Sequence, residues 1–251
     1  MSEPLAGRRV LVTGAATGIG AAAVEVLSDA GAAVVATFHT TPPSDRSLAH
    51  WLPCDVRDPA DVDTMVEDAA AHLGGLDVLV HAAGLWQAGI PGHLGAEDIS
   101  GLVAINVAAT IYTNQAAHRA MLGSGGGRII NFGSAEAVMG SPISAMYAAT
   151  KGAVHAWTRS AAQAWAAQNI TVNAVAPAVQ TPGAERLRDF LGPEGAAFVD
   201  QQMQSRIPIG GRLGDPVRDL GPALVFLAGE GSGFITGQLI PVDGGLLMVG
   251  S

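Results

Sequence analysis

The stretch from Arg9 to Gly20, RVLVTGAATGIG, decides the fold. Arg9-Val10-Leu11-Val12 is a short apolar run suited to a buried parallel strand. It passes straight into Thr13-Gly14-Ala15-Ala16-Thr17-Gly18-Ile19-Gly20 and then into residues with helical apolar spacing as far as Ala30, so the order is strand, glycine turn, helix. In such a turn Gly14 allows the tight bend, Gly18 lets backbone N–H groups approach a pyrophosphate, and Gly20 permits close helix packing. Thr17 and Ile19 belong to the same cradle, and the helix N-terminus behind it favours an anion. The spacing is not the GxGxxG of most dinucleotide folds, and a plain strand-to-helix turn is the alternative.

The same alternation continues along the chain. Ala32 to Phe38 reads as a second strand, Trp51 to Asp55 as a brief third and Leu76 to His81 as a fourth. Arg128 to Phe132, Ile170 to Val175 and the segment around Leu239 follow, with helical patterns at Pro59–His72, Ala148–Ala167 and Asp219–Ala228. Strands alternating with helices predict an α/β fold: one doubly wound, Rossmann-type parallel sheet with helices on both faces, spanning residues 1–251 as a single domain. Ligands on such sheets sit over the carboxyl ends of the strands. Pro42-Pro43 argues against a full helix in the second crossover. Glu185 to Gln204 mixes charge with Phe190, Leu191, Phe198 and Met203 and reads as a helical lid, at about 183–206.

Several polar residues fall on that carboxyl edge. The second strand ends in Phe38-His39-Thr40-Thr41, where a carboxylate would grip the adenosine ribose of NAD. With no acid there to repel a 2′-phosphate, and with His39, the threonines and Arg46 able to donate to one, NADP is favoured over NAD. His39 reads equally well as an exposed loop histidine. Asp55, followed by Val56, either meets an adenine amino group or caps the next segment. His81-Ala82-Ala83-Gly84 offers small residues against which a cofactor can lie.

A second constellation lies in SAEAVMGSPISAMYAATK, Ser134 to Lys151. Ser134 follows a strand, while Tyr147 and Lys151 stand one helical turn apart on one face. A fixed cation near a phenol favours its phenolate, so Lys151 is expected to lower the Tyr147 pKa, with Ser134 donating to the oxygen whose proton Tyr147 handles. Taken alone, the same residues fit a surface i, i+4 pair and a turn serine. Asn106, polar within an apolar helical run, needs hydrogen bonds if buried. They come either from its own helix or from a water relay toward Lys151.

Composition narrows the partners. A formal net charge of −9 without any Lys/Arg run argues against nucleic acid and anionic membrane surfaces. No apolar run approaches the roughly 20 residues of a membrane helix. One cysteine, Cys54, excludes an intrachain disulfide, and the start MSEPLAGRR lacks the apolar core of a signal peptide, so a cytoplasmic protein is expected. No residue cluster suggests a metal. Ala148 to Ala167, apolar or small nearly all round, and the apolar stretch Leu246–Val249 suggest buried contacts between subunits.

Over essentially its whole length the sequence resembles the classical short-chain dehydrogenase/reductase family. The matches are Thr13-Gly14-x-x-x-Gly18-x-Gly20, Ala83-Gly84, Asn106, Ser134, Tyr147-x-x-x-Lys151, Asn173-Ala-Val-Ala-Pro177 and Val242-Asp-Gly-Gly245. The resemblance implies an NAD(P)-dependent oxidoreductase that interconverts a small-molecule ketone and a secondary alcohol by hydride transfer. It implies Tyr147 as general acid/base, Lys151 as the residue that tunes it and holds the nicotinamide ribose, Ser134 as the substrate-oxygen donor and Asn106 in a proton relay. It also implies Pro177, Val179 and Thr181 beside the nicotinamide, and a homo-oligomer, tetramer or dimer. His81-Ala82 stands where the family usually carries two asparagines. Substrate contacts are expected from Trp86, Glu136, Met139, Ser144 and the lid. Glu136 reads either as a pocket carboxylate for a polar or cationic substrate or as a solvated turn residue. Two other functions compete: reduction of a 3-oxoacyl thioester, against which the Gly123–Gly127 loop offers no basic residues for an acidic carrier, and cofactor sensing without catalysis.

Overall fold

The computed structural model describes residues 3–43 and 45–248. Seven parallel strands form one sheet in the order β3-β2-β1-β4-β5-β6-β7. They are β1 Arg9–Thr13, β2 Ala33–Phe38, β3 His50–Pro53, β4 Val78–His81, β5 Gly127–Phe132, β6 Ile170–Pro177 and β7 Leu239–Val242. The helices are α1 Gly18–Asp29, α2 Pro59–Leu73, α3 Ala96–Leu102, α4 Ala109–Leu122, α5 Glu136–Met139, α6 Ala145–Trp165, α7 Pro182–Arg206 and α8 Gly221–Ala228. A π-helical stretch, Val103–Ala108, joins α3 to α4.

The two-residue period of the strands sorts their apolar side chains into two cores. Val10, Val12, Val80 and Ile130 pack with Leu27 of α1 and Leu224 of α8. Leu11, Leu79, Ile129 and Val172 face the other way, onto Val62 and Met65 of α2, Met121 of α4 and Ala161 of α6. Leu11 pairs with Leu79, Leu79 with Ile129 and Ile129 with Val172 across the ladders, so that face is continuous. The strand order reverses between β1 and β4, which opens a crevice at their carboxyl ends. Local signals set the ends of α2: the Asp58 carboxylate accepts from the Ala60 N–H at 2.9 Å, Pro59 fills the first position, and Gly74 stops the helix at φ +74°.

No helix forms among the described residues between Phe38 and His50, as Pro42-Pro43 predicts. In the single chain Ala156, Arg159, Ser160 and Gln163 of α6 form an exposed stripe. The lid segment is α7, with no fully buried residue and a break at Gly192, φ +66°, ahead of Pro193. Of the apolar C-terminal stretch, Val249 lies outside the described residues. No helix among them is long and apolar enough to cross a membrane.

Candidate functional site

The carboxyl edge opens on a cleft of about 670 Å³. Its walls carry the glycine turn with Gly14, Thr17, Gly18, Ile19 and Gly20, then Phe38-His39-Thr40, Asp55, Val56 and Ala82 to Gly84. Pro177, Val179 and Thr181 line it from β6 and the turn beyond, where the Thr181 hydroxyl caps α7 by accepting from the Ala184 N–H at 3.2 Å.

The glycine turn is shaped for a phosphate-bearing ligand. Gly14 sits at φ +61°, and a Cβ there would stand 2.6 Å from the Ala83 Cα. A Cβ on Gly20 would collide with the Gly14 carbonyl oxygen. Thr17 makes no side-chain cap on α1, and no acid stands in its first turn, so the leading N–H groups of this helix are left for an anion. The residues therefore fit a dinucleotide.

At the far end of the cleft Asp55 accepts the Arg57 backbone N–H at 3.0 Å, as a cap of the next segment does. Its carboxylate accepts two bonds from the Arg57 guanidinium, at 2.8 and 2.6 Å, and lies 3.5 Å from His39 Nε2. The Arg57 hydrogen bonds hold the Asp55 carboxyl down to about 2. Asp55 thus fastens a cation beside the end of β2, and Arg57, which also lines the cleft, was absent from the sequence-based candidates. Arg46 instead lies over the Phe38 ring, 5.6 Å from its centroid.

Ser134, Tyr147 and Lys151 meet on the opposite wall. The Ser134 Oγ accepts from the Glu136 N–H at 3.1 Å. The Lys151 ammonium donates to the Phe132 carbonyl at 2.8 Å and stands 5.8 Å from the Tyr147 ring centroid. Desolvation pulls Lys151 down to about 8. The expected depression of Tyr147 is not found. Burial first, and then the Glu136 carboxylate, push the phenol above its ordinary 10.0, against weaker opposing pulls from Ser134 and Arg186. The physical reason is that the Lys151 ammonium is held on the strand carbonyl and does not offset the desolvation of the phenol.

His155 had not been anticipated either. One turn beyond Lys151, its Nε2 accepts the Ser134 N–H at 3.3 Å, and burial pulls it down to about 4. Gly133 leaves room for the ring: a Cβ there would collide with His155 Nε2.

Asn106 does not line the cleft. It is 1 % exposed, and its amide accepts from the Leu85 N–H at 2.8 Å while donating to the Leu85 carbonyl at 2.9 Å and to Thr150 Oγ1 at 3.1 Å. Its side chain bonds to Leu85 and Thr150 rather than to its own helix. It ties the segment after β4 to the turn of α6 that carries Tyr147, since Thr150 in turn donates to the Tyr147 carbonyl at 2.7 Å.

The substrate-side candidates divide. Trp86 lines the cleft. Glu136 does not: its two oxygens accept from Trp86 Nε1 at 3.3 Å and from the Ser144 hydroxyl, so it is neither a free pocket carboxylate nor a solvated turn residue. Ser144 is fully buried in that contact, and Met139 is 49 % exposed at the end of α5, away from the cleft wall. Glu136 and Met139 are the first and last residues of the four-residue α5.

Comparison with known proteins agrees with this geometry. Residues 14–247 match a family model described as enoyl-(acyl carrier protein) reductase. The chain is 33% identical to the 3-oxoacyl-(acyl-carrier-protein) reductase FabG of Vibrio cholerae over 98% of this chain and 99% of that protein. It is 37% identical to the cis-4-hydroxycyclohexanecarboxylate dehydrogenase of Sinomonas cyclohexanicum, covering 99% and 100%. Among solved structures, a short-chain dehydrogenase/reductase from Serratia marcescens superposes with TM-score 0.83 at 32% identity, covering 97% of this chain and 99% of that one. The ligand-free aldohexose dehydrogenase of Thermoplasma acidophilum gives 0.88 at 27%, covering 98% and 95%. With the ordered motifs, the parallel sheet and full-length relatives in agreement, this chain belongs to the short-chain dehydrogenase/reductase family of oxidoreductases.

Proposed function

We propose that the protein reduces a small-molecule ketone to a secondary alcohol, with Tyr147 as the proton donor, Ser134 as the second donor to the substrate oxygen and NADPH as the preferred cofactor. The observation that carries this reading is the convergence of Ser134, Tyr147 and Lys151 on the wall of a cleft whose other end is a glycine cradle.

The nicotinamide supplies the hydride. The chain's own groups do the rest. Charge develops on the substrate oxygen as the carbonyl is reduced, and hydroxyl donors already in place stabilise it without reorganisation. The Tyr147 hydroxyl then delivers its proton to that oxygen. Lys151, held on the Phe132 carbonyl, keeps a cation at the cleft wall, and Asn106 fixes the turn on which Tyr147 rides. Strand β2 ends without a carboxylate of its own, and His39, Thr40 and the Arg57 that Asp55 holds beside it support NADP over NAD.

A second reading, reduction of a 3-oxoacyl thioester, is favoured by the names of relatives at about a third identity. The acidic chain and the uncharged Gly123–Gly127 loop weigh against a carrier-protein substrate. We also propose a cytoplasmic homo-oligomer, with the exposed stripe of α6 as a contact. The test is NADPH and NADH binding, followed by oxidation of the tighter cofactor with a panel of ketones and acyl thioesters. NADPH binding about 10-fold tighter with turnover of free ketones supports the reading. No cofactor-dependent turnover of any carbonyl would refute it.

A further inference from the structure

We propose that Arg186 reads an anionic group on the substrate, so that the compounds turned over are keto acids or hydroxy acids carrying a carboxylate some bonds away from the reacting carbon. This inference rests on the ketone-reductase reading above and adds the substrate class.

The argument begins with the cations of the cleft. Arg57, Lys151 and Arg186 line it. Arg57 is held by both oxygens of Asp55, and Lys151 by the Phe132 carbonyl. Arg186 takes part in no ion pair among the described residues. Its Nε donates to the Trp86 carbonyl at 3.2 Å, and its terminal nitrogens make no hydrogen bond among the described residues, on a side chain that is exposed. A fork held in this way is the group best matched to a carboxylate.

Its place in the fold puts that fork on the substrate side. Arg186 stands in the opening turns of α7 and lines two spaces at once: the large cleft with Ser134 and Tyr147, and an adjoining cavity of about 400 Å³ with Leu85, Ala88 and Phe190. Ala88 and Phe190 belong only to the second space, and the glycine cradle only to the first. A substrate whose carbonyl reaches Tyr147 and whose carbon skeleton enters the apolar cavity passes the guanidinium between them. The arginine is near enough to Tyr147 to act on its proton affinity, which agrees with that path. The acids nearby do not compete for it. Glu136 is bonded to Trp86 and Ser144, and Asp189, which lines the second cavity, makes no ion pair with it.

The experiment compares levulinate and acetoacetate, each against its methyl ester, in the full chain and in the Arg186→Gln and Arg186→Lys variants. The native protein should prefer the acids. Arg186→Gln should lower kcat/KM for the acids about 10- to 100-fold more than for the esters, and Arg186→Lys should recover part of that difference. Equal losses on acid and ester would overturn the proposal. So would weaker NADPH binding with an unchanged acid-to-ester ratio, since the arginine would then be holding cofactor phosphate. If the native protein turned over neither acid nor ester, the wider ketone panel would decide the ketone-reductase reading separately. Calorimetric binding of levulinate in the presence of NADP would still decide this inference: binding lost in Arg186→Gln supports it, and no binding to the native protein overturns it.

Discussion

Lowering the pH from 7 to 5 should destabilise this protein through two buried histidines, and His81→Asn should remove about half of the loss. His81 is 2 % exposed at the end of β4, and its Nδ1 lies 2.9 Å from Thr13 Oγ1, which braces β4 against β1. Its Nε2 is buried without a hydrogen-bond partner in the structure. Burial, with a smaller contribution from the Lys151 charge, pulls the ring from 6.5 down to about 3, and burial pulls His155 down to about 4. Both groups are held neutral in the folded state, so below their unfolded pKa the unfolded chain binds the extra protons. Stability is then fully present above about pH 6.5 and falls as the pH drops toward the folded values. Between pH 7 and 5 each ring costs about 2 kcal/mol, or roughly 4 to 8 °C in Tm for a chain of this size. Carboxylates held low by their partners, such as Asp55 and Asp77, contribute almost nothing in this window because unfolded carboxyls titrate near ~4. Urea unfolding at fixed protein and salt concentration, at pH 7 and pH 5, measures the difference. Because the variant is compared with itself at two pH values, any packing cost of the asparagine cancels. Equal losses in the native protein and in His81→Asn would refute the reasoning.

Three further outcomes follow from the same geometry. Lys151 has a folded pKa of about 8 against 10.5 unfolded, so its burial is penalised while it is charged, and stability should rise by about 1.5 kcal/mol between pH 8 and 9.5; Lys151→Met should lose that rise in a thermal melt series. Gly14→Ala places a Cβ at φ +61° and 2.6 Å from the Ala83 Cα, and should cost about 1 to 3 kcal/mol by urea unfolding and weaken NADPH binding in a fluorescence titration; native-like values in both would contradict the cradle. Asn106→Ala leaves both polar groups of Leu85 without their partner, and should cost about 2 to 4 kcal/mol in stability and lower turnover, with unfolding and steady-state assays as the checks.

How much of this was legible in the sequence depends on whether the signal was local. The strand–glycine turn–helix at Arg9–Asp29 announced itself because the apolar period and the glycines are contiguous, and the alternation that followed gave the parallel sheet. The wall of the cleft was legible for the same reason: on a doubly wound sheet, residues at the ends of strands converge wherever the strands pair. What was hidden lies in contacts between segments. Nothing in the order of residues says that Asp55 turns to Arg57, that His155 reaches back to the Ser134 N–H, or that Lys151 is held on the Phe132 carbonyl. Glu136 looked like a pocket residue from its distance to Ser134, but a single short helical turn was enough to aim it at Trp86 and Ser144. Arg186 lies within the expected lid, but one charge in a mixed segment carries no periodic signal that would single it out. The wider ring of the π-helical stretch, which places Asn106 beside Leu85 and Thr150, likewise has no marker in an apolar run.

The claim on which the account turns is that the Tyr147 phenol gives its proton to a substrate oxygen beside the cofactor. Tyr147→Phe keeps the ring and its packing and removes only that hydroxyl. Steady-state reduction of the best ketone by this variant, with NADPH affinity measured on the same samples, tests the claim most directly. We expect a fall in kcat of about 10²-fold or more with cofactor affinity unchanged. Undiminished turnover would contradict it.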